Sequence, residues 1–177
     1  MQKELRELSL KDTLTRLYNR RYLEEYTESI VSGVMRRETS LAVLICDLDL
    51  FKQVNDVYGH DCGDIVLREI SNVLRNNIRK SDILIRYGGE EFLIILMDIE
   101  GNSQSLVIAE KIRASVEGTK INIGGSYIKK TLSIGVSELP GDSADFNEVI
   151  KFADIALYDA KKTGRNKVVK FSMIMNT

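Results

Sequence analysis

Leu41-Ala42-Val43-Leu44-Ile45-Cys46, closed by Asp47-Leu48-Asp49, is the stretch on which the fold turns. Six apolar residues without alternation predict a strand covered on both faces, because a half-exposed strand would alternate apolar with polar. Where that strand runs out into solvent it carries two carboxylates. A rigid strand end of this kind is suited to holding a divalent cation through hard oxygen ligands. The plainer alternative is a solvated strand end in which Asp49 caps the helix that follows.

Helical stripes flank this strand on both sides. Tyr22/Leu23, Tyr26, Ile30 and Val34 place a helix from Asn19 to about Arg37. A short helix runs from about Phe51 to Gly59, and a longer one from about Gly63 to Ile78, with Leu67, Ile70, Leu74 and Ile78 on one side. Ile83–Arg86 and Phe92–Met97 read as strands joined through Gly88-Gly89, and a helix returns over about Gln104–Val116. Lys120–Ile123 and Ser126–Lys130 form a hairpin around Gly124-Gly125, followed by a core strand at Leu132–Val136. Asp145, with Glu148 three positions on, opens a helix that stops near Gly164, and Lys167–Phe171 closes the sheet. Strands and helices in this order, hairpins included, predict an α/β (α+β) fold: a ferredoxin-like βαββαβ core with a mixed sheet flanked by helices. Residues 1–11 read as the polar end of a helix connecting from something upstream, carrying only Leu5 and Leu8 as apolar positions.

The 177 residues are 44% hydrophobic and 29% charged, which excludes a disordered chain and a disulfide scaffold. A formal charge of -1 excludes a global basic field, so no nucleic-acid partner is expected. No stretch approaches the length of a membrane span, and the first residues have no apolar core of a signal peptide, which points to the cytoplasm. Cys46 and Cys62 have no metal-ligand spacing and are expected to be buried thiols. There is one proline and no linker-like stretch, so no internal domain boundary is expected.

The second feature with chemistry in it is Gly88-Gly89-Glu90-Glu91-Phe92. Glycines free the backbone for a tight turn and leave room for a ligand. Adjacent residues of an extended segment point to opposite sides, so Glu90 and Glu91 need not share one task.

Taken together, five blocks resemble the GGDEF family of diguanylate cyclases. They are Asp12-Thr13-Leu14-Thr15-Arg16-Leu17-Tyr18-Asn19-Arg20-Arg21, the run from Asp47 to Asp56, Gly59-His60-Asp61-Cys62-Gly63-Asp64, Arg86-Tyr87-Gly88-Gly89-Glu90-Glu91-Phe92, and the tail from Ala153 to Asn166. The blocks stand in the family's order from residue 12 to 166, and the resemblance implies that 12–177 is a catalytic domain of this family with a nucleotidyl-cyclase or polymerase-palm-like fold. The departures are Glu90 where the family name has Asp, which keeps the carboxylate, and Arg16 where many members carry Gly.

The resemblance implies that two GTP condense into cyclic di-GMP with release of two pyrophosphates. It implies magnesium, or manganese in its place, held by Asp47, Glu91 and the Leu48 carbonyl, with Glu90 assisting the 3′-hydroxyl as base or as further ligand. Guanine recognition is carried over onto Asn55 and Asp64. A carboxylate takes the N1–H and N2–H₂ donors of guanine, whereas adenine would turn a lone pair toward it. Phe51 belongs to the same substrate site, and Lys52, Lys161 and Arg165 would meet the triphosphate. Arg79-x-x-Asp82 matches the family's inhibitory site for the product, with Lys111 as the nearest candidate for a third basic contact. The tetrapeptide on its own also reads as a helix-end ion pair, and His60 as a structural residue in the turn between helices. A product made from two GTP implies a second copy of the domain, related by a two-fold axis. With so little apolar surface in residues 1–11, the chain alone is expected to be mostly monomeric, its input arriving from an upstream sensory or receiver domain. A catalytically silent module that binds GTP or cyclic di-GMP is the alternative from a different class.

Overall fold

A computed structural model describes residues 9–101 and 103–174. Strand β2 (Leu41–Leu48) is buried at every position. It lies inside a six-stranded sheet whose spatial order is β1 (Tyr18–Asn19), β3 (Ile83–Arg86), β4 (Glu91–Leu96), β2, β7 (Leu132–Leu139) and β8 (Val168–Lys170). β2 pairs antiparallel with both β4 and β7, β3 pairs antiparallel with β4, and the outer pairs β1–β3 and β7–β8 are parallel. The sheet is therefore mixed. β2, β3, β4 and β7, with the helices between them, trace the βαββαβ core, and a separate hairpin is built from β5 (Ile121–Ile123) and β6 (Ser126–Ile128).

Alternate residues of β2 feed two different cores, as the pleat requires. Ala42, Leu44, Cys46 and Leu48 pack with Phe51 and Val54 of α2 (Phe51–Tyr58), with Val66, Leu67, Ile70 and Leu74 of α3 (His60–Asn76), and with Ala109, Ile112 and Val116 of α4 (Gln104–Gly118). Leu41, Val43 and Ile45 pack on the other side with Leu23 and Val34 of α1 (Arg20–Arg36), and with Phe146, Val149, Ala153 and Leu157 of α5 (Phe146–Lys162). Each such Leu or Ile stabilises the fold by about 1.5–3 kcal/mol. α5 approaches β7 so closely that a Cβ at Gly135 would lie 2.0 Å from the Ala153 carbonyl oxygen and 2.3 Å from the Leu157 nitrogen. Only a glycine admits that contact.

Several boundaries differ from the sequence reading, each for a local reason. α3 starts at His60 rather than Gly63, because Gly59, at φ 85°, both ends α2 and begins α3. His60 therefore stands in the first turn of α3 and not in a connecting loop. The closing strand is three residues long and gives way at Phe171 to a short helix, α6 (Phe171–Ile174), whose Phe171 ring stacks on Phe152 at 4.1 Å. β1 is too short to leave any periodicity. Asp145 caps α5 by accepting from the N–H groups of Asn147 and Glu148, but Glu148 binds the Ser143 hydroxyl instead of returning to the Asp145 nitrogen. Only half of a reciprocal capping box is formed. The connector expected over residues 1–11 lies outside the described residues as far as Leu8, and Lys11 forms a bridge with Tyr18. Cys46 is buried, its thiol pushed well up by burial, whereas Cys62 is only half-buried. Among the described residues no helix is long and apolar enough to cross a membrane.

Candidate active site

The β2–β4 register sets Asp47 directly opposite Glu91. Asp47 continues the phase of Leu41, Val43 and Ile45, toward α5, and the last full turn of α5 delivers Lys161. Its Nζ lies 2.9 Å from Asp47 Oδ2. Burial pushes Asp47 up to about 6; Lys161 opposes this, and the negative charges of Glu90 and Glu91 add to it. Three carboxylates thus feel one another at the end of the hairpin. The donor set, oxygen only, with mutual repulsion that a cation would relieve, fits a hard divalent ion held by Asp47, Glu91 and the Leu48 carbonyl. Among the described residues, though, no three His, Cys, Asp or Glu side chains are already gathered into a metal-holding cluster. Lys161 stands at Asp47 where such an ion would compete with it.

On the other side of the same turn a cavity of about 450 Å³ opens, lined by Phe51, Lys52, Asn55, His60, Asp64, Leu67, Arg86, Gly89 and Glu90. The substrate residues expected on α2 and α3 are therefore brought together with Glu90. Glu91 is not part of this lining, as extended backbone geometry dictates for neighbours. Asn55 reaches its position because α3 presents no side chain at Gly63: a Cβ there would sit 2.0 Å from Asn55 Oδ1. The residue between the two guanine-site candidates is thus itself a positioning element.

Arg86 was not singled out in the sequence, and it organises the turn. Its Nε and Nη2 donate to the Gly89 carbonyl at 3.2 and 2.8 Å, and Nη1 donates to both oxygens of Asp12 at 3.1 Å. Asp12 also accepts from the Thr15 N–H and hydroxyl, which ties the upstream block to the signature turn. The Asp12 carboxyl is lowered from its ordinary value: Thr15 and Arg86 outweigh its partial burial. Neither Gly88 nor Gly89 has positive φ. The two glycines give space rather than a special backbone shape: a Cβ on Gly88 would meet Glu91 Oε2 at 3.0 Å, and the Gly89 position is open.

Asp49 does not cap α2. Leu50 occupies the cap position at φ 55° with no side-chain bond. Asp49 is buried and accepts from the Thr131 hydroxyl at 2.7 Å, the Ser133 hydroxyl at 2.6 Å and the Asn166 N–H at 3.0 Å. Asn166 is gripped from the far side by Arg113 and Glu117 of α4. These bonds fix the turn after α5, and with it the exposed Arg165, which does not line the cavity. The sequence signal for this clamp was the Gly164-Arg165-Asn166 block itself, but not its partners.

Arg79 and Asp82 lie elsewhere, at a second cavity of about 220 Å³. Asp82 accepts from the backbone N–H of Arg79 at 2.8 Å and from that of Met97 at 2.9 Å, so it builds the turn ahead of β3 instead of pairing with the Arg79 guanidinium. Lys111, exposed on α4, does not line this cavity.

The strand order, and acidic residues carried by one strand end and one hairpin turn, are those of a palm-like cyclase fold. Comparison with known proteins agrees. The family model described as "Diguanylate cyclase, GGDEF domain" matches residues 9–167. Diguanylate cyclase DosC of Escherichia coli K12 is 44% identical over 158 residues, 89% of this chain and 34% of that protein. Response regulator PleD of Caulobacter vibrioides is 41% identical over 165 residues, 92% of this chain and 36% of that protein. The chain thus spans about a third of the length of these curated relatives. The GGDEF domain of YfiN (TpbB) from Pseudomonas aeruginosa superposes with a TM-score of 0.87 at 32% identity, covering 94% of this chain and 99% of that one. The coiled coil and GGDEF domain of DgcB from Caulobacter crescentus, solved in complex with c-di-GMP, gives 0.86 at 29% identity, covering 96% and 89%. This chain belongs to the GGDEF family.

Proposed function

We propose that the domain is a diguanylate cyclase, condensing two GTP into cyclic di-GMP and two pyrophosphates. The observation that carries this is the convergence of Asn55, Asp64 and Glu90 on one cavity, backed across the hairpin turn by the Asp47–Glu91 pair. A volume of about 450 Å³ is within the usual range for a small-molecule site.

Asp64 takes the two donors on the guanine edge while Asn55 supplies complementary bonds, and Phe51 and Leu67 form the apolar wall. Lys52, at the rim, faces phosphate, as Lys161 and Arg165 do from the end of α5, where the helix dipole also favours cations. Asp47, Glu91 and the Leu48 carbonyl would hold magnesium or manganese, which when bound neutralises the triphosphate and polarises the α-phosphate. The 3′-oxygen of one nucleotide forms a bond to the α-phosphorus of the other as the bond to pyrophosphate breaks, and the hydroxyl proton passes to Glu90 as base, or to water where Glu90 serves as a further ligand. Each domain holds contacts for one guanine, so the reacting unit is a two-fold pair of domains. An upstream input domain that sets this pairing fits the likeness to a response regulator, and Arg79 with the Asp82 turn serves as the site of inhibition by the product. A cytoplasmic location follows from the substrate.

Incubation with GTP and magnesium followed by product analysis tests the reading. Cyclic di-GMP should form with specific activity that rises with protein concentration, and Asp64→Ser should relax the preference for GTP over ATP. Binding of GTP without turnover would overturn cyclase activity in favour of a silent sensor.

A further inference from the structure

Arg16 stands in the left-handed region, at φ 61°, a conformation that few side chains adopt without a reason. The turn that puts it there is firmly built. The Arg16 N–H donates to the Asp12 carbonyl at 2.9 Å, the Asp12 N–H to the Leu17 carbonyl at 2.8 Å, and Arg75 props the turn from α3 through the Thr15 carbonyl at 3.3 Å. The consequence is that Arg16 lines the same 220 Å³ cavity as Arg79, Lys80 and Asp82. Lys11 and Arg75 also line it but are otherwise engaged, Lys11 over the Tyr18 ring at 3.4 Å and Arg75 on the Thr15 carbonyl. Arg16, Arg79 and Lys80 form no ion pair among the described residues. Asp82 shares the cavity, but its carboxylate oxygens accept from the backbone N–H groups of Arg79 and Met97 rather than from these side chains.

We propose that Arg16 is a binding residue for the cyclic dinucleotide at the Arg79–Asp82 site, supplying a second guanidinium to a ligand phosphate from the turn ahead of β1. The assignment rests on the reading of that cavity as the product site. It supplies the extra basic contact there that Lys111, on the far element α4, does not. Two guanidinium forks lining one cavity suit a ligand carrying two phosphodiesters, since each fork can donate two parallel bonds to one phosphate. The backbone strain at position 16 is then the cost of holding an exposed cation at this cavity.

The opposed effects of one substitution give the test. Arg16→Gly removes the guanidinium and suits the backbone at φ 61°, so the thermal midpoint of the free protein should not fall. Its affinity for cyclic di-GMP, measured by titration calorimetry beside the parent and Arg79→Ala, should drop about tenfold, the loss expected for one charge-assisted contact. Arg16→Lys should recover only part of the affinity, because an ammonium lacks the fork. Weakened binding in Arg79→Ala with parental affinity in Arg16→Gly would overturn the role of Arg16 alone. Parental affinity in both would overturn the cavity as the product site, and the proposal with it.

Discussion

Two lysine–carboxylate pairs sit at opposite ends of the same pair of strands, and they behave differently. At one end Lys161 meets Asp47 of β2 at 2.9 Å; at the other, Lys170 meets Glu138 of β7 at 2.8 Å. The β2–β7 register separates them by five strand positions, roughly 17 Å. Glu138 is closed in. Its carboxylate also accepts from the buried Ser105 hydroxyl, its backbone N–H donates to Asp142, and its lysine is 6% exposed. Asp142 also presses on Glu138 but shares Lys170 with it, whereas Asp47 has two further carboxylates pressing on it and a lysine that is 33% exposed and can leave. Nearly equal distances therefore describe a closed fastening in one case and a half-open pair crowded by like charge in the other. The number and sign of the surrounding charges make the difference, and the pair length does not.

The comparison breaks most visibly in stability. Lys170→Met leaves Glu138 buried without its cation, with the Ser105 hydroxyl left on its carboxylate, which should cost about 3–5 kcal/mol and lower the thermal midpoint by roughly 10 °C. Lys161→Met should lower it by no more than a degree or two, since Asp47 can take up a proton instead. Equal losses in scanning calorimetry of the two variants would erase the distinction between the pairs.

Activity should respond the other way round. Asp47→Ala is expected to reduce turnover of GTP by at least about a hundredfold, the scale set by removing one electrostatic group from a reacting centre. Its metal-free stability should stay near the parent's. Near-parental rates in a product assay would remove Asp47 from the site.

A third variant sharpens the picture at the proposed guanine side. Gly63→Ala forces Asn55 away from its place and should raise the KM for GTP by about tenfold, while the far end of the molecule is untouched. An unchanged KM would mean that Asn55 does not read the base.

The smallest effect is a pH dependence, and its sign follows from linkage. The Asp47 carboxyl sits at about 6 in the folded chain against an ordinary value of 3.8, so the folded state binds more protons between these values. Metal-free stability therefore falls as pH rises from about 4 through 6. Asp47→Asn mimics the neutral form and should melt a few degrees above the parent at pH 7.5, with the gap closing toward pH 4. A gap that is constant with pH would show that the substitution acts through packing.

The order of the elements could be read from the chain because each reading used contacts local in sequence. A continuous apolar run from Leu41 to Cys46 has no stable home except between two layers, and stripes at helical spacing must face them. Asp47, Asn55, Asp64 and Glu90 were legible for a related reason: their residue types and spacings belong to the family's blocks. Long-range partnerships were not legible. That Asp49 fastens Thr131, Ser133 and Asn166, that Arg86 joins Asp12 to Gly89, and that Arg16 shares a cavity with Arg79 all join residues about 60 or more positions apart, apart from the local Arg86–Gly89 bond. A carboxylate or guanidinium carries the same local signal whether it is solvated, clamped or aimed at a ligand. Its role is decided by which distant groups folding brings within hydrogen-bond reach, and by how much water they exclude.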